Sequence, residues 1–190
     1  MKTFLSLIAF AAASLAGPAA AQTSASPDIA DLQVRKGDES FTVDMTYKLS
    51  LDDQLLAALA GGLQIPFVAE LRFIELRQFW LDRSLKNYAW HAYISRPLPG
   101  AGYRFKRFAD ENEETAGSLE DALAELASLS LTSADRQLRG LLCTDRGMLQ
   151  ARIEVQLDLL PDPLQISVLT NSNWNFSSGW KVYPTANLGC

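Results

Sequence analysis

The chain has 190 residues, of which 48% are hydrophobic and 21% are charged, and its formal net charge is −5. A negative total argues against nucleic acid and against anionic membrane surfaces as general partners. One histidine and two cysteines supply too few ligands for a His- or Cys-based metal centre, and we expect no metal, nucleotide or redox cofactor.

The first 21 residues have the pattern of a secretory signal peptide. Lys2 precedes an apolar run from Phe4 to Ala16, and the small residues Ala19–Ala21 follow. The run is too short to span a hydrocarbon layer of roughly 30 Å. We therefore expect cleavage after Ala21 and a periplasmic protein without stable membrane insertion, whose charge is −6 once Lys2 is lost.

The rest of the chain is predicted to form one domain. Residues 22–27 are small and polar and predict a disordered spacer, 28–184 fit a single domain, and 185–190 are expected to be a loose tail. Cys143 and Cys190 could form a disulfide in an oxidising compartment. The alternative, a buried Cys143 with a frayed C-terminus, stays open.

Strand patterns dominate the first half of the chain. Apolar and polar residues alternate over Phe41–Leu49, which predicts a strand buried on one face. Ser50 is expected to cap a helix that Gly61-Gly62 ends, and Ile65–Phe79 is expected to be a long strand. Further strands are predicted over 29–34, 87–94 and 103–108.

The second half is predicted to contain a helix and a hairpin. Residues 110–117 are expected to be an exposed acidic loop, and Ser118 to cap a helix that runs to about Ser128. Strands over 138–144 and 148–159 would form the hairpin. The segment Leu164–Leu169 could be a strand or a helical turn. Seven or eight antiparallel strands with two short helical inserts indicate a β-sandwich.

Several of these features are shared with a known family. They are the Phe41 strand, Ala58–Gly62, Phe67, Trp80, Leu160-Pro161-x-Pro163-Leu164 and Trp174-x-Phe176-x-Ser178-x-Trp180. In them the chain resembles the domain-of-unknown-function 4390 family. The resemblance implies a secreted proteobacterial protein, in some genomes encoded beside a membrane sensor kinase, and it supplies no catalytic residue.

The polar residues form no recognisable catalytic set. His91, the single histidine, lies in a predicted strand, and a half-buried structural histidine is expected there. Glu70 and Glu75 fall on opposite strand faces, and a surface ion pair of Glu70 with Arg72 is the simpler expectation. The mixture of aromatic and basic residues over 103–108 could bind single-stranded nucleic acid, but it also suits an edge strand.

The tryptophans are the remaining candidates for a functional surface. Each could close the end of a sandwich core or anchor a partner. We predict that one of Trp174 and Trp180 is buried and the other exposed, because a bulge between them would reverse their facing. The predicted partner-binding residues are Arg72, Arg77, Trp80, Trp174 and Trp180.

Three hypotheses for the function follow from the sequence. The first is a non-enzymatic interaction module with an envelope protein as partner, such as an accessory to an envelope sensor kinase. The second is a carrier of an apolar or lipid-like ligand, and the third is a hydrolase that uses isolated carboxylates. A large apolar cavity would favour the carrier, and an exposed aromatic patch would favour the interaction module.

Overall fold

The computed structural model describes residues 27–156, 159 and 176–188. Within them the chain forms nine strands, three α-helices and one short 3₁₀ helix. In chain order these are β1 Asp28–Lys36, β2 Phe41–Lys48, α1 Asp53–Ala60, β3 Ile65–Glu75, β4 Arg83–Ser95, β5 Tyr103–Lys106, β6 Glu113–Ala116, α2 Leu119–Leu126, β7 Ser128–Ser133, α3 Arg136–Leu141, β8 Gly147–Val155, β9 Lys181–Pro184 and the 3₁₀ helix Thr185–Asn187.

The strands form two antiparallel sheets that pack face to face. One sheet has the order β1-β2-β7 and the other the order β6-β5-β4-β3-β8-β9. The Phe41 ring of the first sheet meets the Phe73 ring of the second edge-on, with their centroids 5.7 Å apart. The predicted mainly β, antiparallel fold is confirmed.

The core follows from the period-2 alternation of the strands. Along β8 the residues Leu149, Ala151 and Ile153 are fully buried, while their neighbours are only partly covered. In β2 the buried set is Phe41, Val43, Met45 and Tyr47. Burying one large aliphatic or aromatic side chain contributes about 1.5–3 kcal/mol, so these strands supply much of the stability.

Of three helix ends, namely the start and end of α1 and the start of α2, two were predicted correctly. Gly62 adopts a φ of 86° and stops α1, as predicted. The Ser118 hydroxyl accepts the N–H of Asp121 and caps α2, also as predicted. The cap predicted for α1 at Ser50 is wrong. Asp52 caps it instead, because its carboxylate accepts the N–H groups of Gln54 and Leu55 at 3.1 and 2.8 Å.

The predicted hairpin of 138–144 with 148–159 is wrong. Asp135 accepts the N–H groups of Gln137 and Leu138 and caps α3, which buries Leu138 and Leu141 three positions apart on one helix face. Strand β8 pairs instead with β3 and β9. The missed strand β7 alternates leucine with serine and pairs with β2.

The predicted exposed loop over 110–117 contains an edge strand. Strand β6 pairs with β5, and Lys106 lies opposite Glu113 in the register. An edge strand needs little apolar surface because one side faces water, and this explains why its polar sequence suggested a loop.

The predicted start of a loose tail at residue 185 is wrong. Thr185 is fully buried, and its hydroxyl lies 2.8 Å from the Thr144 carbonyl oxygen and 3.1 Å from that of Leu141. No cysteine in the described part of the chain is free, but Cys190 lies outside it, so the disulfide stays a prediction. The signal peptide, the segment 164–169 and Trp174 also lie outside the described residues.

None of the helices found in 27–156 and 176–188 has the length and apolar character needed to cross a membrane.

Candidate functional site

The structure describes four of the five predicted partner-binding residues and separates them into two places. Arg77 and Trp80 lie in the loop between β3 and β4. Arg72 and Trp180 lie together on the outer face of the six-stranded sheet. Trp174 is outside the described residues, so the predicted contrast between it and Trp180 stays a prediction.

Trp180 covers two arginines on the outer face of the sheet. The register pairs Ala151 with Lys181, so Trp180 comes level with Arg152. The guanidinium carbons of Arg72 and Arg152 lie 3.8 and 4.7 Å from the ring centroid. Cation–π contacts of this kind contribute about 0.5–1 kcal/mol each, and they hold a half-buried Trp180 against the sheet.

Arg152 also carries the ion pairs of this face. It binds Glu70, with 2.8 Å between Nε and Oε2, and its Nη1 lies 3.1 Å from Glu154. The predicted ion pair of Glu70 with Arg72 is therefore wrong. Arg152 is directly opposite Glu70 on the neighbouring strand, whereas Arg72 lies two residues further along the same strand. The ion pairs and the cation–π contact of Arg152 thus join Trp180 and Glu70 within the fold.

The loop between β3 and β4 ends in three exposed apolar residues, which we call the tip: Phe79, Trp80 and Leu81. Their exposed fractions are 89%, 80% and 92%. The sequence predicted a strand through Phe79, but β3 ends at Glu75. In a strand, successive side chains point to opposite faces of the sheet, so three consecutive large apolar residues cannot all face the core. The chain leaves the sheet before them.

The base of the tip is held by hydrogen bonds and ion pairs. The N–H of Leu76 donates to the Arg146 carbonyl at 2.8 Å, and Arg77 donates its N–H to the Asp82 carboxylate at 3.3 Å. Glu75 lies 3.0 Å from the Arg146 guanidinium and 3.8 Å from that of Arg77. These contacts close the loop on both sides of the tip, so it projects from an ordered base.

The charges at the two ends of the sandwich differ. Residues 76–83 carry two arginines, Arg77 and Arg83, and one acidic residue, Asp82. At the opposite end, residues 110–125 contain seven acidic residues and no basic one. With Glu75 and Asp145 counted beside Arg146, the charges at the base of the tip balance, so the tip lies at an end without the acidic excess of the opposite end.

The basic residues of β5 and of the segment that follows it pair with carboxylates of the acidic segment. Arg107 lies 3.3 Å from both Asp110 and Glu125 and also binds Glu114. Arg104 lies 3.9 Å from Glu113. These pairs argue against a nucleic-acid platform, because the cations face carboxylates of the same chain. The edge-strand interpretation of residues 103–108 is wrong, since β5 lies between β4 and β6.

The titratable groups show no arrangement for catalysis in the described ranges. His91 was expected to be half-buried, but it is exposed, with its Nδ1 3.0 Å from the Gln156 amide oxygen. No group of three or more His, Cys, Asp or Glu residues suits a metal ion in the part of the chain that the structure describes. Burial, together with a hydrogen bond to Glu113, raises the pKa of Tyr93 to about 12, so it stays protonated at neutral pH.

A pocket of about 360 Å³ lies where the end of α1 meets the loop after β4. It is open to solvent, and Arg96 and Arg104 are among its lining residues. Guanidinium groups are poor neighbours for a hydrocarbon chain, so this pocket does not suit the apolar ligand of the carrier hypothesis.

Sequence reasoning named Trp80 but missed Phe79 and Leu81 as members of the same surface. The signal was present in the three consecutive large apolar residues between Arg77 and Arg83. The predicted strand Ile65–Phe79 included Phe79 among its apolar residues and so separated it from Trp80.

Comparison with known proteins identifies a family. No curated protein and no solved structure matches the chain. The model of the DUF4390 family, a domain of unknown function, matches residues 24–184, which include all nine strands described above. Since this match covers most of its length, the chain belongs to the DUF4390 family.

Proposed function

We propose that this chain is a non-enzymatic interaction module of the periplasm, which associates with an envelope protein and is held in place by its tip. The observation that carries the proposal is the exposure of Phe79, Trp80 and Leu81, each at 80% or more. Contiguous exposed apolar residues on a folded protein mark surfaces that another molecule covers.

The free energy that burial of the tip would release supports this role. Burial of each such side chain would contribute about 1.5–3 kcal/mol, and the fold leaves all three in water. The hydrogen bonds of Leu76 and Arg77 keep the loop closed, so the tip does not need to be ordered when it binds. A preformed apolar projection loses little conformational entropy on association.

An accessory to an envelope sensor kinase is the specific form of this proposal. It is supported by the resemblance noted from the sequence, which implies that in some genomes genes of the family lie beside one for a membrane sensor kinase. A protein with this role has to stay near the membrane in which its partner is inserted, and the tip provides a means of doing so.

Photo-crosslinking in the cell tests the proposal. A photoreactive amino acid replaces Trp80 in one variant, and Leu98 in a matched control. Leu98 is 60% exposed and follows the other end of β4. We expect a discrete adduct at position 80, identified by mass spectrometry as a protein or a lipid of the envelope, and none at position 98. Equal labelling at both positions, or no adduct at position 80, would contradict the proposal.

A further inference from the structure

We infer that the tip inserts into the surface of an anionic phospholipid bilayer, so that the chain is a peripheral membrane protein. This inference rests on the proposed function and names the surface that Phe79, Trp80 and Leu81 enter. A phospholipid bilayer with negatively charged headgroups is the partner whose chemistry the tip and its surroundings fit.

The shape of the tip favours a soft surface. The three side chains are consecutive and expose 89%, 80% and 92% of their area, so the apolar surface projects outward. A bilayer can admit such a projection without a complementary cavity, because its lipids rearrange around inserted side chains.

The composition of the tip suits the boundary between headgroups and acyl chains. Tryptophan prefers this level of a membrane, because its ring is apolar and its indole N–H can bind polar headgroups. Phe79 and Leu81, on either side of Trp80, supply apolar area for the acyl chains.

Cations lie where the headgroups would be. Arg77 and Arg83 bracket the tip, and Arg146 at its base has a side chain that is 74% exposed. Each basic residue held near an anionic membrane strengthens binding about fivefold. Glu75, Asp82 and Asp145 lie beside these cations. Glu75 pairs with Arg146 and Arg77, and the Asp82 carboxylate accepts the N–H of Arg77, whereas Arg83 makes no ion pair within the described residues.

The negative net charge does not oppose this contact, because distance separates it from the tip. Strand β4 has 13 residues and runs from Arg83 beside the tip to Ser95, which pairs with β5 near the acidic segment 110–125. At ~3.3 Å per residue, the strand spans roughly 40 Å. The screening length at physiological ionic strength is about 8 Å, so a membrane at the tip does not sense the carboxylates of this distant segment.

Vesicle sedimentation tests the inference, with the protein purified in its exported form. The vesicles contain phosphatidylethanolamine and phosphatidylglycerol at a ratio of about 3:1, and neutral phosphatidylcholine vesicles serve for comparison. We expect the wild type to sediment with the anionic vesicles. The triple variant Phe79→Ser/Trp80→Ser/Leu81→Ser should bind at least tenfold more weakly, since it lacks the apolar contacts.

Two further variants separate apolar insertion from charge. Leu98→Ser removes an exposed leucine at the opposite end and should bind within about twofold of the wild type. Arg83→Gln should weaken binding to anionic vesicles about fivefold and leave binding to neutral vesicles unchanged. If the triple variant does not fold, the single variant Trp80→Ala replaces it, with the same direction expected.

The outcomes distinguish this inference from the proposed function. A wild type that stays in the supernatant, or a triple variant that sediments like the wild type, overturns the inference. If a protein adduct forms at position 80 in the cell while vesicles are not bound, the proposed function stands and the bilayer is the wrong partner. If vesicles are not bound and no adduct forms, both fail.

Discussion

Trp80 and Trp180 both lie near arginines, yet the fold treats them differently. Trp180 is half-buried over Arg72 and Arg152, and Arg152 pairs with both Glu70 and Glu154. Trp80 is 80% exposed at the end of a loop. The comparison teaches that residue type alone does not distinguish a tryptophan that supports the fold from one available to a partner.

The difference arises from strand pairing. Trp180 follows the register of β9 and comes level with Arg152, so the sheet provides its contacts. Trp80 lies five residues beyond Glu75, the last residue of β3, where no neighbouring strand continues. The contrast therefore predicts large effects on stability near the sheet and large effects on association at the tip.

The largest loss of stability is expected from Gly147→Ala, which disrupts the base of the tip. Gly147 lies opposite Glu75, and an added Cβ would overlap the Thr185 hydroxyl and the Leu141 carbonyl oxygen. We expect the free energy of unfolding to fall by about 3 kcal/mol, measured by denaturant titration.

Gly140→Ala is the matched control for this change. Gly140 lies within α3, and an added Cβ would meet no atom within 4 Å. Alanine favours the helix over glycine, so this variant should be more stable by about 0.5–1 kcal/mol. Equal destabilisation by both substitutions would show that the close packing around Gly147 is not the cause.

Trp180→Ala and Trp80→Ala test the comparison itself. Trp180→Ala removes two cation–π contacts and part of a packed ring, and should lower the free energy of unfolding by about 2 kcal/mol. Trp80→Ala should change it by less than about 0.5 kcal/mol, because the side chain is exposed. Similar losses for the two variants in denaturant titrations would remove the distinction.

Glu70→Gln should lower the free energy of unfolding by less than Trp180→Ala does. It leaves Arg152 paired with Glu154 alone, and the expected loss is about 1 kcal/mol because the pair is partly buried. The loss should shrink in high salt. Glu111→Gln, at an exposed position, is the control and should be nearly neutral. A loss that does not depend on salt would mean that the ion pair is not the source.

The smallest expected effect is on the pH dependence of stability, at the acidic end of the molecule. Burial and the bond to Glu113 raise the pKa of Tyr93 to about 12, above its value of about 10 in the unfolded chain. The folded state therefore holds this proton more tightly, and the associated stability is present below pH ~10 and lost as the pH rises towards 12. Tyr93→Phe should make the decline in stability above pH 10 shallower. An unchanged decline would assign it to other groups, such as Tyr47, whose pKa burial also raises.

Local patterns were enough to predict much of the fold. The alternation in β2 and β8, the Ser118 cap and the Gly62 stop are each set by residues close in sequence. Contacts between distant residues were not predictable in this way. The pairing of β7 with β2 and the contact of Glu70 with Arg152 depend on how the whole chain assembles.

The candidate surface was predicted only in part, because it also depends on contacts between distant residues. Arg77 and Trp80 were identified, but Arg72 and Trp180 were grouped with them because all four are residue types that bind partners. Only the three-dimensional register shows that Arg72 and Trp180 contact each other while Trp80 does not share that surface.

Quenching of tryptophan fluorescence by lipids brominated on their acyl chains tests the central claim most directly. The claim is that Trp80 leaves water on association and Trp180 does not. We predict that brominated anionic vesicles quench the wild type and the Trp180→Phe variant, and that Trp80→Phe abolishes the quenching. Quenching that persists in Trp80→Phe, or that is absent in the wild type, would contradict the account.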